Sequence, residues 1–248
     1  MSTPSHRHHP VPPSGLVERQ VHRWDRIAEA LRHGPLRPSE SPRRPVITIS
    51  GAVGSGRLLL AEELARRLNY EIYGRELVEK VAQDLGLNQP MVQGLDERVD
   101  SEIRLQLSTW MRGHKIDSQD YIRSLARVMV GLARSGGAII LGRGSSCILH
   151  DLTEKTGASL RLEASLEVRV RRLMEWRGLP EKEARHLAQT SEEEQRHFLR
   201  HYFKQDISNS ECYDLIINTG RLTIEQAAML VLRCLEAKGH TLESLRGR

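Results

Sequence analysis

Residues Gly51 to Leu58 read Gly-Ala-Val-Gly-Ser-Gly-Arg-Leu, and nothing else in the chain constrains its fold as strongly. An apolar run, Val46-Ile47-Thr48-Ile49-Ser50, precedes them, and a helical pattern from Leu59 to Leu68 follows. Strand, glycine-rich loop and helix in that order form the context that a phosphate-binding loop requires. Gly51 and Gly56 have the spacing of G-x-x-x-x-G-K-[ST], and Gly54 adds a third flexible point. Glycines let backbone N–H groups turn inward around phosphate oxygens, and the helix that follows adds a positive dipole end. Gly51, Gly54, Ser55, Gly56 and Arg57 are therefore the candidate phosphate-binding residues. Two positions depart from the pattern. Arg57 replaces the lysine and keeps a cation; Leu58 replaces the serine or threonine and removes the hydroxyl that would ligate magnesium.

From Val46 onward, short apolar strands alternate with helices. Strands are expected at Val46–Ser50, Glu71–Tyr73, Ala138–Leu141, Ser159–Glu163 and Tyr213–Asn218. Helices are expected over Gly56–Asn69, Arg75–Leu85, pieces of Asn88–Arg134, Ser165–Arg177, Pro180–Gln189, Ser191–Asp206 and Thr223–Lys238. Apolar strands separated by helices imply a parallel sheet covered on both faces, an α/β fold. Ahead of this domain, residues 1–15 are polar, with four histidine or arginine residues among four prolines, and read as a disordered tail. Val17, Val21, Trp24, Ala28 and Leu31 form a short amphipathic helix, expected to dock on the core or to make a homodimer through residues 16–33. Pro35 to Pro45, with four prolines in eleven residues, is a linker. The domain is expected to span 46–238, with 239–248 as a C-terminal tail.

Composition narrows the function. With 28% charged and 39% hydrophobic residues, the chain is expected to be a soluble globular protein. No apolar stretch approaches the ~20 residues that span a bilayer, so no membrane partner is expected. The N-terminus shows no apolar secretory segment, and Cys147, Cys212 and Cys234 are widely spaced. Both fit reduced thiols in the cytoplasm. The formal charge of +5 suits anionic ligands. Aromatic residues at 4% leave few stacking platforms for single strands, so nucleic acid is not an expected partner.

Several further pieces carry a resemblance. They are Ile49-Ser50 before the Gly-Ser-Gly loop, Tyr73-Gly74-Arg75-Glu76-Leu77, Leu141-Gly142-Arg143-Gly144, Arg172-Leu173-Met174-Glu175 leading to Gly178-Leu179, and Tyr213-Asp214-Leu215-Ile216-Ile217-Asn218-Thr219. In order and spacing the chain resembles the cytidylate kinase-like family of nucleoside monophosphate kinases over about residues 46–238. The resemblance implies a P-loop kinase fold with a five-stranded parallel sheet, helices on both faces, a helical monophosphate-binding insert and a mobile lid. It implies transfer of the ATP γ-phosphate to CMP or dCMP, with magnesium. Arg75 and Arg143 would hold the monophosphate, and Arg57, Arg143, Arg172 and Arg177 would carry the catalytic charge. Guanidinium groups bind phosphate in a fork, and phosphoryl transfer depends mainly on positioning and charge neutralisation.

The sequence also departs from the family pattern. Gly74 stands where members commonly carry Asp, and Gly144, Ser145 and Ser146 supply no acid after the Gly-Arg turn. Together with Leu58, these changes keep a second reading open: a nucleotide-binding regulatory protein of the same fold with little or no turnover. Arg169, Arg171, Arg172 and Arg177 form a basic run at the base of the lid, about half of which is expected to be a solvated face.

Overall fold

The structure, a computed structural model, describes residues 44–74 and 118–247. The amphipathic segment near the N-terminus, most of the Pro-rich linker and the helix expected at Arg75–Leu85 lie outside the described residues. Within them the chain forms β1 (Ile47–Gly51), α1 (Arg57–Leu68), β2 (Glu71–Tyr73), α2 (Ser118–Ser135) and β3 (Ala138–Leu141). It continues through α3 (Ser145–Ile148), α4 (His150–Lys155), β4 (Ala158–Glu163), α5 (Leu166–Arg177) and α6 (Glu181–Phe203). A single 3₁₀ turn at Ser210–Cys212 leads into β5 (Leu215–Asn218), α7 (Ile224–Ala237) and α8 (Leu242–Arg246).

All five strands are parallel, in the order β2-β3-β1-β4-β5. Alternation along the strands divides the residues between two faces. Ile47, Ile49, Ile139, Leu160, Leu162 and Ile217 pack with Leu60, Leu64 and Leu68 of α1 and Val231 and Leu235 of α7 in one apolar core. Thr48, Ile140, Ser159 and Arg161 point to the opposite face and are buried as well. There α2 packs against β3 and α3, burying Leu125, Val128, Met129 and Leu132. Burial on both faces is why the strands read as near-continuous apolar runs. The two hydroxyls on the second face are bonded: Thr48 Oγ1 donates to Ser159 Oγ at 3.2 Å, and Ser159 Oγ donates to the Cys212 carbonyl at 2.8 Å.

Three expectations are corrected. The segments Pro180–Gln189 and Ser191–Asp206 form one helix, Glu181–Phe203. The Thr190-Ser191 pair is not a break, because Ala184, Ala188, Ser191, Gln195, Phe198 and Leu199 make one uninterrupted buried stripe at helical spacing. Ser191 Oγ turns back to the Ala188 carbonyl at 3.3 Å rather than capping a new helix.

Residues 239–248 are not simply a tail. Thr241 and Ser244 form a capping box that starts α8, and Leu245 is fully buried in the main core. Arg44, inside the expected linker, is anchored too. Its Nε donates to the Leu245 carbonyl at 3.1 Å, and its Nη2 donates to Leu68 and Asn69 carbonyls at 2.9 and 2.7 Å. It thereby satisfies carbonyls at the end of α1 while its guanidinium lies 4.6 Å from the Tyr70 ring centre.

Candidate active site

The connection from β1 runs through α1 to β2 on one side of the sheet, whereas the connection from β3 runs to β4 on the other. Neighbouring strands β1 and β3 thus form a topological switch point, and the crevice at their carboxyl ends is where ligands gather in sheets of this kind. Two turns meet there. The glycine loop leaves β1, and Gly142-Arg143-Gly144 leaves β3, with the Gly142 N–H bonded to the Ile49 carbonyl at 3.1 Å.

The loop is held on its protein side. Gly51, the last residue of β1, pairs with Leu162 of β4. Val53 packs among Val170, Leu173, Ala184 and Ala188, tying the loop to α5 and α6. The Ser55 N–H closes a turn on the Ala52 carbonyl at 3.0 Å. Gly54 has φ +85°, and a Cβ there would lie 2.8 Å from the Arg169 carbonyl oxygen. Both the conformation and the contact exclude any side chain. Gly56, also left-handed, caps α1 without a side-chain hydrogen bond, and the first turn carries no acid. The first N–H groups of α1 have no intrahelical partner, so its positive end is presented uncapped. Ser55 is fully buried, and its Oγ has no hydrogen-bond partner among the described residues.

Across the crevice, Arg143 is 6% exposed and adopts φ +61° between two left-handed glycines. That tight turn lets the chain pass from β3 straight into α3. Gly144 is fixed by tertiary contact as well: a Cβ would lie 2.4 Å from Cε2 of Phe203 at the end of α6. A cleft opens between this turn and α6, lined by Ser50, Gly142, Gly144, Ser145, Ser146, Gln195, Leu199 and Ile207. None of these lining side chains is a carboxylate, an imidazole or a cation.

The predicted residues separate into groups. Gly51, Gly54, Ser55, Gly56 and Arg57 form one loop and helix start, and Arg143 belongs to the adjacent turn. Arg57 is half-buried at the first position of α1. Arg75 lies outside the described residues. Arg177 is exposed, one residue before the Gly178 cap of α5. Arg172 is turned inward. Its Nη1 donates to the Gly54 carbonyl at 3.3 Å and to Thr219 Oγ1 at 3.1 Å, and its Nη2 donates to the Thr219 carbonyl at 2.6 Å. Burial, with Arg171 adding repulsion, lowers its pKa. The expected catalytic guanidinium of Arg172 is thus engaged with loop and strand backbone in this structure.

Of the basic run, Arg171 and Arg177 are exposed, whereas Arg169 joins Arg172 inside. Arg169 Nε donates to the Ala164 carbonyl at 3.2 Å and Nη1 to the Ala188 carbonyl at 3.0 Å; Nη2 pairs with Glu192. Glu192 and Gln195 lie in Glu192–Arg196, which resembles the acid- and arginine-bearing lid segment of the family only loosely, and Thr219 ends the Tyr213–Thr219 piece, but the sequence assigns none of the three these contacts. The Asn218-Thr219 pair after an apolar strand was the available signal for the last of these.

Leu58 is 46% exposed, in contrast to Leu60, which is fully buried two residues on. The position that would offer a hydroxyl to magnesium presents a hydrocarbon to solvent, and neither the first turn of α1 nor the cleft lining supplies a carboxylate. Among the described residues, these donors do not fit a resident metal held by protein oxygens. Among the described residues, His150, Asp151 and Glu154 form the one group spaced to hold a cation, and all three are exposed. No helix of the described residues is long and apolar enough to cross a membrane.

Comparison with known proteins agrees with this geometry. A cytidylate kinase of Methanothrix thermoacetophila is 30% identical over 197 residues, covering 76% of this chain and 99% of that protein. A cytidylate kinase of Aeropyrum pernix is 27% identical, covering 77% and 99%. A crystal structure of an uncharacterised protein from Eubacterium ventriosum shares the fold, with a TM-score of 0.53 at 20% identity over 78% of this chain and 99% of that one. The family model described as "Cytidylate kinase-like family" matches residues 46–221. With a five-stranded parallel sheet, a phosphate-loop sequence between β1 and α1, and that match across most of its length, the chain belongs to the cytidylate kinase-like family.

Proposed function

We propose that this protein is a nucleoside monophosphate kinase that moves the γ-phosphoryl group of ATP to CMP or dCMP. The observation that carries the reading is the meeting of the glycine loop and the Gly142-Arg143-Gly144 turn at the β1–β3 crevice. The uncapped start of α1 and Arg57 receive the phosphates of ATP. Arg143 after β3, with Arg75, which follows β2 in the sequence, receives the monophosphate. In the transfer, the bond from the γ-phosphorus to the β–γ bridging oxygen breaks and one forms to an oxygen of the acceptor phosphate. ADP leaves with the electron pair. That acceptor oxygen is already ionised near neutral pH, so the step requires no general base, in keeping with a cleft that holds neither carboxylate nor imidazole among its described lining residues. The chain's contribution is placement and positive charge. Magnesium would be supplied with ATP, and Leu58 would offer it no oxygen.

A second reading, a nucleotide-binding regulatory protein without turnover, is favoured by Leu58 and the acid-poor surroundings of the loop. A coupled assay with ATP, magnesium and each of CMP, dCMP, UMP and AMP separates the two. Faster turnover of CMP or dCMP than of UMP or AMP supports the kinase. ADP binding without product from any acceptor supports the regulatory protein.

A further inference from the structure

Thr219, immediately after β5, is 2% exposed, and its hydroxyl sits where three segments meet. Its Oγ1 lies 2.7 Å from the Ser55 carbonyl oxygen and 3.2 Å from the Glu163 carbonyl oxygen, and it accepts from Arg172 Nη1 at 3.1 Å. A hydroxyl has one proton and two lone pairs. The shorter contact takes the proton, so Thr219 donates to Ser55 while Arg172 supplies the hydrogen bond it accepts. Arg172 in turn donates to the carbonyl of Gly54, the preceding loop residue. Two consecutive carbonyls of the glycine loop are therefore held from behind, one by a hydroxyl and one by a guanidinium.

The consequence follows from peptide geometry. In a trans peptide the C=O of one residue and the N–H of the next point in opposite directions within one plane. Holding the Ser55 carbonyl on Thr219 turns the Gly56 N–H to the other side of that plane. Holding the Gly54 carbonyl on Arg172 does the same for the Ser55 N–H, which closes on Ala52. Glycines on either side of Ser55 leave these planes little resistance to rotation, so bonds set them: the Ala52 turn together with Arg172 for the first, and Thr219 from outside the loop for the second. Arg172 is itself kept in place by the Thr219 carbonyl at 2.6 Å and by its position over the Trp176 ring, 5.6 Å from the ring centre.

We infer that Thr219 and Arg172 are positioning residues that orient the peptide planes of the glycine loop for the nucleotide phosphates, linking phosphate binding to the lid-base helix α5. The inference rests on the reading of Gly51–Arg57 as the phosphate site, but not on turnover. The test is calorimetric titration of the full chain with ADP, beside a thermal melt, for Thr219→Val, Thr219→Ser and Arg172→Lys. Valine keeps the shape and removes the hydroxyl; serine keeps the hydroxyl. Thr219→Val is expected to weaken ADP binding about tenfold, near the upper end for one neutral hydrogen bond. Thr219→Ser is expected to stay within about twofold of the unaltered protein on the same scale. Unchanged ADP affinity in Thr219→Val overturns the inference, and so does equal weakening in both variants, because the hydroxyl would then not be the determinant. Should Thr219→Val fail to fold, Arg172→Lys decides, since one ammonium cannot span Gly54 and Thr219: weakened binding supports the inference, and unaltered affinity overturns it. ADP binding reads this role even if no acceptor is phosphorylated, so failure of the kinase reading and failure of this one are distinct outcomes.

Discussion

Arg169 Nη2 donates to Glu192 Oε2 at 2.6 Å, joining α5 to the middle of α6. The arginine is almost wholly buried and also serves two backbone carbonyls, while the glutamate keeps partial contact with water and a second arginine, Arg196. This pair links the two helices on whose shared apolar face Val53 of the glycine loop packs.

Removing the carboxylate leaves a buried guanidinium short of its charged partner. Glu192→Ala is expected to destabilise the fold by about 1–3 kcal/mol, below the figure for a fully buried pair because Glu192 is partly solvated. Denaturant unfolding measures it, and an unchanged midpoint at the same slope would show that the helices are held by apolar packing alone.

Gly144 combines a left-handed backbone with the closest approach of Phe203. Gly144→Ala should cost about 1–3 kcal/mol through strain and contact together. Adding Phe203→Leu should recover the contact part and leave the backbone part. A double-mutant cycle reads the split, and strict additivity would remove Phe203 from the account.

Arg57 and Arg143 are expected to serve different substrates. Arg57→Ala should weaken ADP binding by about 1–3 kcal/mol, as for a charge-assisted hydrogen bond. Arg143→Ala should raise the KM for the monophosphate much more than that for ATP. Steady-state kinetics with each substrate varied in turn checks the assignment; equal effects on both would mean the turn after β3 does not belong to the acceptor.

Leu58 is too exposed to contribute much to the core. Leu58→Ser should leave stability within about 0.5 kcal/mol, as for other surface positions. A hydroxyl there would add an oxygen beside the loop, so nucleotide affinity should become more dependent on magnesium. Calorimetry with and without the metal tests this, and an unchanged metal dependence would show that one hydroxyl does not make a site.

Burial pushes the Cys147 thiol up to about 11 and raises the nearby Cys212 as well. With its folded pKa above the ordinary value, Cys147 stays a thiol until the pH approaches that range. It should therefore react slowly with iodoacetamide at pH 8 in the folded protein and rapidly after unfolding. Mass spectrometry of timed samples measures the difference, and fast labelling of the native protein would contradict the burial.

The sequence by itself determined the five strands, the loop between the first strand and helix, and the Gly-Arg-Gly turn. Each is a local pattern: period-two or continuous apolar runs, glycines where the backbone must turn, and flanking helices with a 3.6-residue stripe. Tertiary structure decided what local patterns cannot encode. Thr190-Ser191 looks like a helix start by residue type, yet one buried stripe running from Ala184 to Leu199 keeps α6 whole. Arg172 and Arg177 are chemically alike and five residues apart, yet one faces the Gly54 carbonyl and the other faces solvent. Leu58 and Leu60 differ only in which side of α1 they occupy, and that side sets one in water and the other in the core. A side chain's type fixes what bonds it can make, but which partner it meets depends on segments far away in sequence. Ser55 and Thr219, 164 positions apart in the chain and brought to 2.7 Å by the sheet, are the clearest case.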